Sequence, residues 1–203
     1  MMLASSAHRL ETLLSDEVLV DRARRGQQGA FEILVSRHQR GIYRLAMRMS
    51  RNESDAEEIA QETFLHAHRG IASFHAESRF GTWIYRIAVN EALMRRRAAN
   101  RRPTRSLESL HADQALRPGE AATGAQPGDP SLRADDLLDR KRLAERVRDA
   151  LTRLDADSRA ALVLRDLEEL SAQQAAVILG VSPDAVRQRA HRARIRLRDL
   201  LYQ

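Results

Sequence analysis

The chain has 203 residues and a formal net charge of +6, from 34 Lys+Arg against 28 Asp+Glu. It contains no cysteine, which excludes disulfides, Cys-ligated zinc and a thiol nucleophile. No segment approaches the roughly 20 apolar residues that cross a bilayer, and the N-terminus lacks the unbroken apolar core of a signal peptide, so a soluble, cytoplasmic protein with no membrane insertion is expected. Lys141 is the single lysine. The planar arginine fork suits phosphates and guanine edges, although codon usage in a GC-rich genome produces the same bias. Aromatic residues make up 4% of the chain, while the helix formers Ala, Leu, Arg and Glu dominate. An all-α fold follows: two small helical domains joined by a flexible linker, the second a helix-turn-helix domain.

In chain order, Asp16 can cap a short helix over Glu17–Arg25 that stops at Gly26. A longer helix is expected from about Gln28 to Met49, with Phe31, Leu34, Val35, Ile42, Leu45, Ala46 and Met49 near helical spacing. The run Ser54-Asp-Ala-Glu57 is a capping-box signature for a third helix reaching about Arg69. On it Ala56, Ile59, Ala60, Thr63 and Ala67 form a core stripe, while Glu58, Gln61, Glu62 and Leu65 follow i, i+3, i+4, i+7 on the opposite face. A leucine framed by carboxylates, in a stretch without Lys or Arg, suits a protein partner; a solvated acidic face is the plain alternative.

Residues Phe74 to Arg79 read as a loop, followed by a fourth helix from Phe80 to about Asn100. Arg79, Arg86, Arg95, Arg96, Arg97, Arg101, Arg102 and Arg105 flank the aromatics Phe74, Phe80, Trp83 and Tyr85. Bases exposed in a single strand stack on rings while the backbone follows positive charge. The competing reading buries Phe80, Trp83, Ile84 and Ile87 in a core; Phe74 on the loop and Asn90, one turn beyond Arg86, are expected in more open settings.

Four of the five prolines, Pro103, Pro118, Pro127 and Pro130, lie with Gly119, Gly124 and Gly128 in a stretch without apolar periodicity. This predicts a flexible linker at 103–133 between domains at 16–102 and 134–203. Helices are expected to resume near Ala134, with breaks near Asp155–Ser158, Leu170–Ser171 and Gly180–Ser182. Ser171 with Gln174 forms a second capping box, Ala175, Ala176 and Leu179 supply a small packing face, and Gly180 allows a tight turn. Ser182 caps the next helix with Pro183 at its first position. Val186, Ala190, Ala193 and Leu197 make its buried stripe; Asp184, Arg187, Gln188, His191 and Arg192 face outward. A second helix that protrudes in this way fits the DNA major groove, with Arg187 and Gln188 able to read base edges and Arg192, Arg194 and Arg196 suited to phosphates.

No metal-ligand spacing, nucleophile–base set or glycine-rich phosphate loop is present. No enzyme activity, cofactor, metal or small-molecule substrate is therefore expected.

The order DAEEIAQETFLHAHRGI, SFHAESRFGTWIYRIAVNEA, a linker and a terminal LSAQQAAVILGVSPDAVRQRAHRARIRL resembles the extracytoplasmic-function sigma factors of the sigma-70 family. The resemblance implies a factor that directs RNA polymerase core to promoters and assists DNA melting. It assigns Glu58, Gln61, Glu62 and Leu65 to docking on the clamp coiled coil of the largest polymerase subunit. Phe74, Ser78, Arg79, Phe80, Trp83, Arg86 and Asn90 are assigned to the minus-ten element, where the loop captures a base flipped from the melted non-template strand. Ser182, Asp184, Arg187, Gln188, His191 and Arg192 are assigned to duplex DNA at the minus-thirty-five element. An anti-sigma protein is implied as a further partner. Larger relatives wedge the duplex open with two adjacent tryptophans; here Trp83 is followed by Ile84, and base capture is expected to matter more. In the first helix of the reading unit, Gln173, Gln174 and Ala175 stand where relatives usually have an acidic residue and a larger aliphatic. From the residues alone, a stand-alone helix-turn-helix regulator is the alternative.

Overall fold

A computed structural model describes residues 14–75, 78–101 and 130–202. Helix α1, Asp16–Arg24, does not use Asp16 as its cap: Ser15 occupies that position without a side-chain bond. Asp16 instead accepts from Arg37 Nη1 at 2.6 Å and lies 2.7 Å from His38 Nε2. Its burial would raise its pKa, but the bonds and charges of Arg37 and His38 outweigh that and lower it. A tertiary clamp thus replaces the expected cap. Helix α2, Ala30–Met49, starts two residues later than expected, because Gly29 sits in the left-handed region at φ 85°.

Helix α3, Glu53–Gly70, is capped by Asn52 rather than Ser54. Asn52 has the extended backbone that lets its Oδ1 accept from Asp55 N at 2.7 Å; Ser54 already lies inside the first turn. A 3-10 turn, Ile71–Ser73, leads toward helix α4, Phe80–Arg101. Leu34, Ile42, Leu45, Ile59, Ile84 and Val89 interlock α2, α3 and α4, each at most 2% exposed. Ala60, expected in the core stripe, is only half-buried.

Helix α5, Pro130–Thr152, begins inside the expected linker, at a proline whose missing N–H costs nothing in a first turn. Most of the expected linker, 102–129, lies outside the described residues. Helix α6, Ala156–Leu162, is capped by Asp155, whose Oδ1 accepts from Ser158 N at 2.9 Å. It widens into a π turn at Val163–Leu167, which no sequence signal announced. Helices α7, Ala172–Leu179, and α8, Pro183–Leu201, follow the sequence closely. The Ser171–Gln174 capping box forms in both directions, Gly180 adopts φ 63°, and Ser182 Oγ accepts from Ala185 N. Val186, Ala190 and Ala193 are buried as expected, while Leu197 is half-buried against Leu151, Leu154 and Leu162. On α7, Ile178 takes the deep position and Leu179 the shallower one.

Both helical units are present, yet their cores are not separate. Ala160, Val163, Leu164, Ala175, Ile178 and Val186 join the apolar cluster of α1–α4. Among the described residues α7 packs on α4, and α6 and its π turn meet α2.

Candidate nucleic-acid interface

The outward face of α8 is built by its first turn. Pro183 fixes the helix direction, the Ser182 hydroxyl closes the N-terminus, and the buried Val186–Ala190–Ala193 stripe turns the opposite face to solvent. Asp184, Arg187, Gln188, His191 and Arg192 are all exposed there. Arg187 forms an ion pair with Asp184 one turn earlier, which pre-orients its guanidinium on the helix surface. Arg194 behaves differently from its sequence reading as a phosphate arm. Asp166 on the π turn grips it at 2.6 and 2.8 Å through two parallel bonds that push its pKa further up. Arg192 and Arg196 stay exposed and border a hollow of about 520 Å³ together with Arg153 and Arg189.

The aromatic cluster is more closed than the sequence suggests. Phe74 is 7% exposed, not open to solvent; its ring centroid lies 4.8 Å from Trp83 and 6.3 Å from Phe80. Phe80 also meets His38 edge-on. The loop is short, so the apolar ring turns inward rather than stay in water. Trp83 is half-buried, and Gly70 gives it room: a Cβ there would stand 3.3 Å from Trp83 Cζ2. Arg79, Arg86 and Asn90 remain exposed, and Ser78 is half-buried. Beside the loop, Val20, Phe74 and Phe80 floor a hollow of about 400 Å³, with Ser78, Arg79 and Asp21 among its polar lining.

On α3, Glu58, Gln61 and Leu65 are exposed, Leu65 at 40%, and Glu62 is half-buried. Glu58 is paired with Arg95 of α4. Next to this face Tyr43, Phe64 and Ala60 line an open apolar groove between α2 and α3.

Sequence reasoning missed the residues that hold the two units together. Arg159 of α6 is 1% exposed and donates from Nη1 to Met49 O at 2.8 Å, capping the C-terminus of α2 from across the chain. Burial and the nearby charges of Arg96 and Arg51 lower its pKa to about 10. Arg96 Nη2 donates to Leu154 O at 2.6 Å. Glu168, after the π turn, accepts from Tyr85 Oη at 2.8 Å and pairs with Arg48, which also donates to Leu167 O at 3.0 Å. Burial and the Glu168 carboxylate raise the Tyr85 pKa. One signal was available: Arg159 sits three and four residues before Leu162 and Val163, on an apolar helix face.

Among the described residues no helix is long and apolar enough to cross a membrane, and no group of three His, Asp or Glu side chains is arranged to hold a metal. Two helical units, one ending in a helix-turn-helix with a solvent-facing arginine surface, make the arrangement of a DNA-binding protein. The family described as "Sigma-70 region 2" matches residues 34–102, and "Sigma-70, region 4" matches 144–197. The ECF RNA polymerase sigma-E factor of Haemophilus influenzae is 38% identical over 89% of this chain and 92% of its own length. The RNA polymerase sigma-H factor of Pseudomonas aeruginosa is 34% identical over 88% and 90%. The sigma factor RpoE of Bartonella quintana, solved with the anti-sigma factor NepR, superposes with a TM-score of 0.59 at 26% identity, over 85% of this chain and 96% of that one. The chain belongs to the sigma-70 family, in its extracytoplasmic-function branch. Its function is that of the family, to direct RNA polymerase to promoters; sigma factors are initiation factors, not enzymes.

Proposed function

We propose that the unit at 16–102 docks on core polymerase and reads the minus-ten element, while the unit at 134–203 reads the minus-thirty-five element. The observation that carries this division is the separation of two chemistries. Glu58, Gln61, Glu62 and Leu65 present carboxylates around an accessible leucine, whereas Arg187, Gln188, His191 and Arg192 present donors on α8. The first set repels a phosphate backbone and suits a protein surface; the second suits a major groove. Ser182 and Asp184 border the reading face at the helix N-terminus.

Strand capture is assigned to the hollow beside the 74–80 loop. A flipped base would lie on the apolar floor of Val20, Phe74 and Phe80, with Ser78 and Arg79 at the rim. Arg86 and Asn90 extend that surface along α4, and Trp83 shapes it from inside. Unstacking a base costs a few kcal/mol, which stacking at roughly 1–3 kcal/mol per base offsets. Attachment to polymerase raises the effective concentration of both contacts, so each unit can bind weakly alone. We infer that the chain has no catalytic activity of its own, acts in the cytoplasm where polymerase works, and is held by an anti-sigma partner. The stand-alone regulator reading leaves the acidic face on α3 without a role.

The test is reconstitution. Added to core polymerase, the purified chain should support transcription from a cognate promoter. Glu58→Arg with Glu62→Arg should abolish co-purification with core while duplex binding persists. Unchanged polymerase binding in that variant would remove the docking assignment.

A further inference from the structure

Where the two units meet, the C-terminus of α2, the start of α3, the end of α4 and α6 line a half-open cavity of about 290 Å³. Its wall carries Arg51, Arg96 and Arg159, with Asp55 as a lining carboxylate; Arg95 also lines it but is paired with Glu58. Arg159 spends only Nη1 on Met49 O, leaving Nε and Nη2 buried without a partner. Arg96 spends Nη2 on Leu154 O, leaving Nη1 in the same condition. Among the described residues, five N–H hydrogens on three buried nitrogens therefore have no acceptor, in a place where like charges crowd together. Asp155 is the carboxylate whose charge is felt by both guanidiniums, and it is occupied in capping α6.

Buried guanidinium nitrogens are almost always bonded, and an isolated buried charge is unfavourable until an opposite charge or a proton change relieves it. Arginine seldom takes the second route. Its forked donors match tetrahedral oxyanions. At about 30 Å³ per water, the cavity has room for one or two phosphate groups with some hydration.

We propose that this cavity binds a small phosphate-class anion, held by Arg159 and Arg96 from within and by Arg51 at its edge. Arg159 belongs to the C-terminal unit, and Arg51 and Arg96 to the N-terminal one. The anion therefore binds the packed arrangement and not the separated one, and its concentration sets how much of the chain is packed. The site uses none of the residues that the resemblance assigns to polymerase or promoter DNA; Arg96, one of the arginines flanking the aromatics in the sequence, is bonded to Leu154 O and lines this joint instead.

The experiment titrates the full chain with inorganic phosphate, diphosphate and a nucleoside diphosphate in a chloride buffer, read by calorimetry and by thermal unfolding. One saturable site per chain and a rising Tm are expected. Arg51→Met and Arg96→Met should each weaken binding tenfold or more, whereas Arg69→Met, on exposed α3 surface, should leave it unchanged. Arg159→Met tests the deepest donor, and the Arg51 and Arg96 variants decide the matter if it does not fold. Two spin labels at Ala72→Cys and Val177→Cys, in a chain without native cysteine, should report a larger packed fraction with anion. Tighter binding of the nucleoside diphosphate than of diphosphate would identify a nucleotide as the source; equal binding would identify the free anion. No saturable binding, meaning a water-filled cavity, overturns the proposal. So does binding insensitive to Arg51→Met and Arg96→Met, or binding of a single-stranded oligonucleotide with that arginine dependence while free phosphate and diphosphate fail.

Discussion

Replacing Glu168 by Gln should open the packed arrangement measurably. The carboxylate side chain is 6% exposed, accepts from Tyr85 Oη at 2.8 Å and pairs with Arg48. Breaking a fully buried pair from one side costs about 3–5 kcal/mol. Arg48 keeps 30% exposure, so water recovers part of that, and about 2–3 kcal/mol remains. At 1.36 kcal/mol per decade, the ratio of packed to separated chain should fall roughly 30- to 150-fold. Glutamine keeps the shape and the acceptor for Tyr85, which isolates the charge. Double electron–electron resonance between labels at Ala72→Cys and Val177→Cys reads the populations. Tyr85→Phe removes one neutral donor and should cost less, about 1 kcal/mol. A distance distribution identical in Glu168→Gln and the native chain would refute the claim that this pair holds the units together.

Other consequences are local. Gly41→Ala would place a Cβ 3.0 Å from Tyr85 Oη, so the hydroxyl must give by a few tenths of an ångström and its bond to Glu168 is strained, and the same labels should report partial loosening. Gly180→Ala meets no atom within 4 Å but keeps φ 63°; the backbone penalty of about 1 kcal/mol should lower Tm by roughly 2–4 °C in calorimetry. Burial would raise the Asp155 pKa, but the N–H of Ser158 and the Arg96 charge outweigh it and lower it. A depressed folded pKa means the contribution is complete above the unfolded value and is lost as pH falls through the folded one. Asp155→Ser should therefore flatten the loss of stability below about pH 4 in melts taken across that range. Arg192→Ala should reduce the salt slope of duplex binding by about one, whereas Arg187→Ala should cost about 1–3 kcal/mol only on the cognate sequence.

Local signals in the sequence located the helix-turn-helix closely. Ser171, Gln174, Gly180, Ser182 and Pro183 act within four residues of their own backbone, so their chemistry does not depend on the rest of the fold. The cap of α3 falls at Asn52 and not at the Ser54 of the capping-box signature, because the extended backbone that makes a cap lies at Asn52 and a four-residue pattern does not encode it. Exposure was misjudged at Phe74, since its burial depends on Trp83 and Phe80 arriving from α4. The joint between the units was not legible: Arg159 and Met49 lie 110 residues apart, and Arg48 and Glu168 lie 120 apart. Neither a period nor a cap encodes such a pair. The π turn that brings Glu168 to Tyr85 likewise has no compositional mark.

The two-point grip is tested most directly by footprinting a cognate promoter bound by the chain with core polymerase, using a strand-opening probe such as permanganate. Asn90→Ala with Arg79→Ala should preserve protection at the minus-thirty-five element and lose reactivity of melted thymines near the minus-ten element. Arg187→Ala with Gln188→Ala should lose the upstream protection first. Equal loss of both signals in both variants would contradict the assignment of the two promoter elements to separate units.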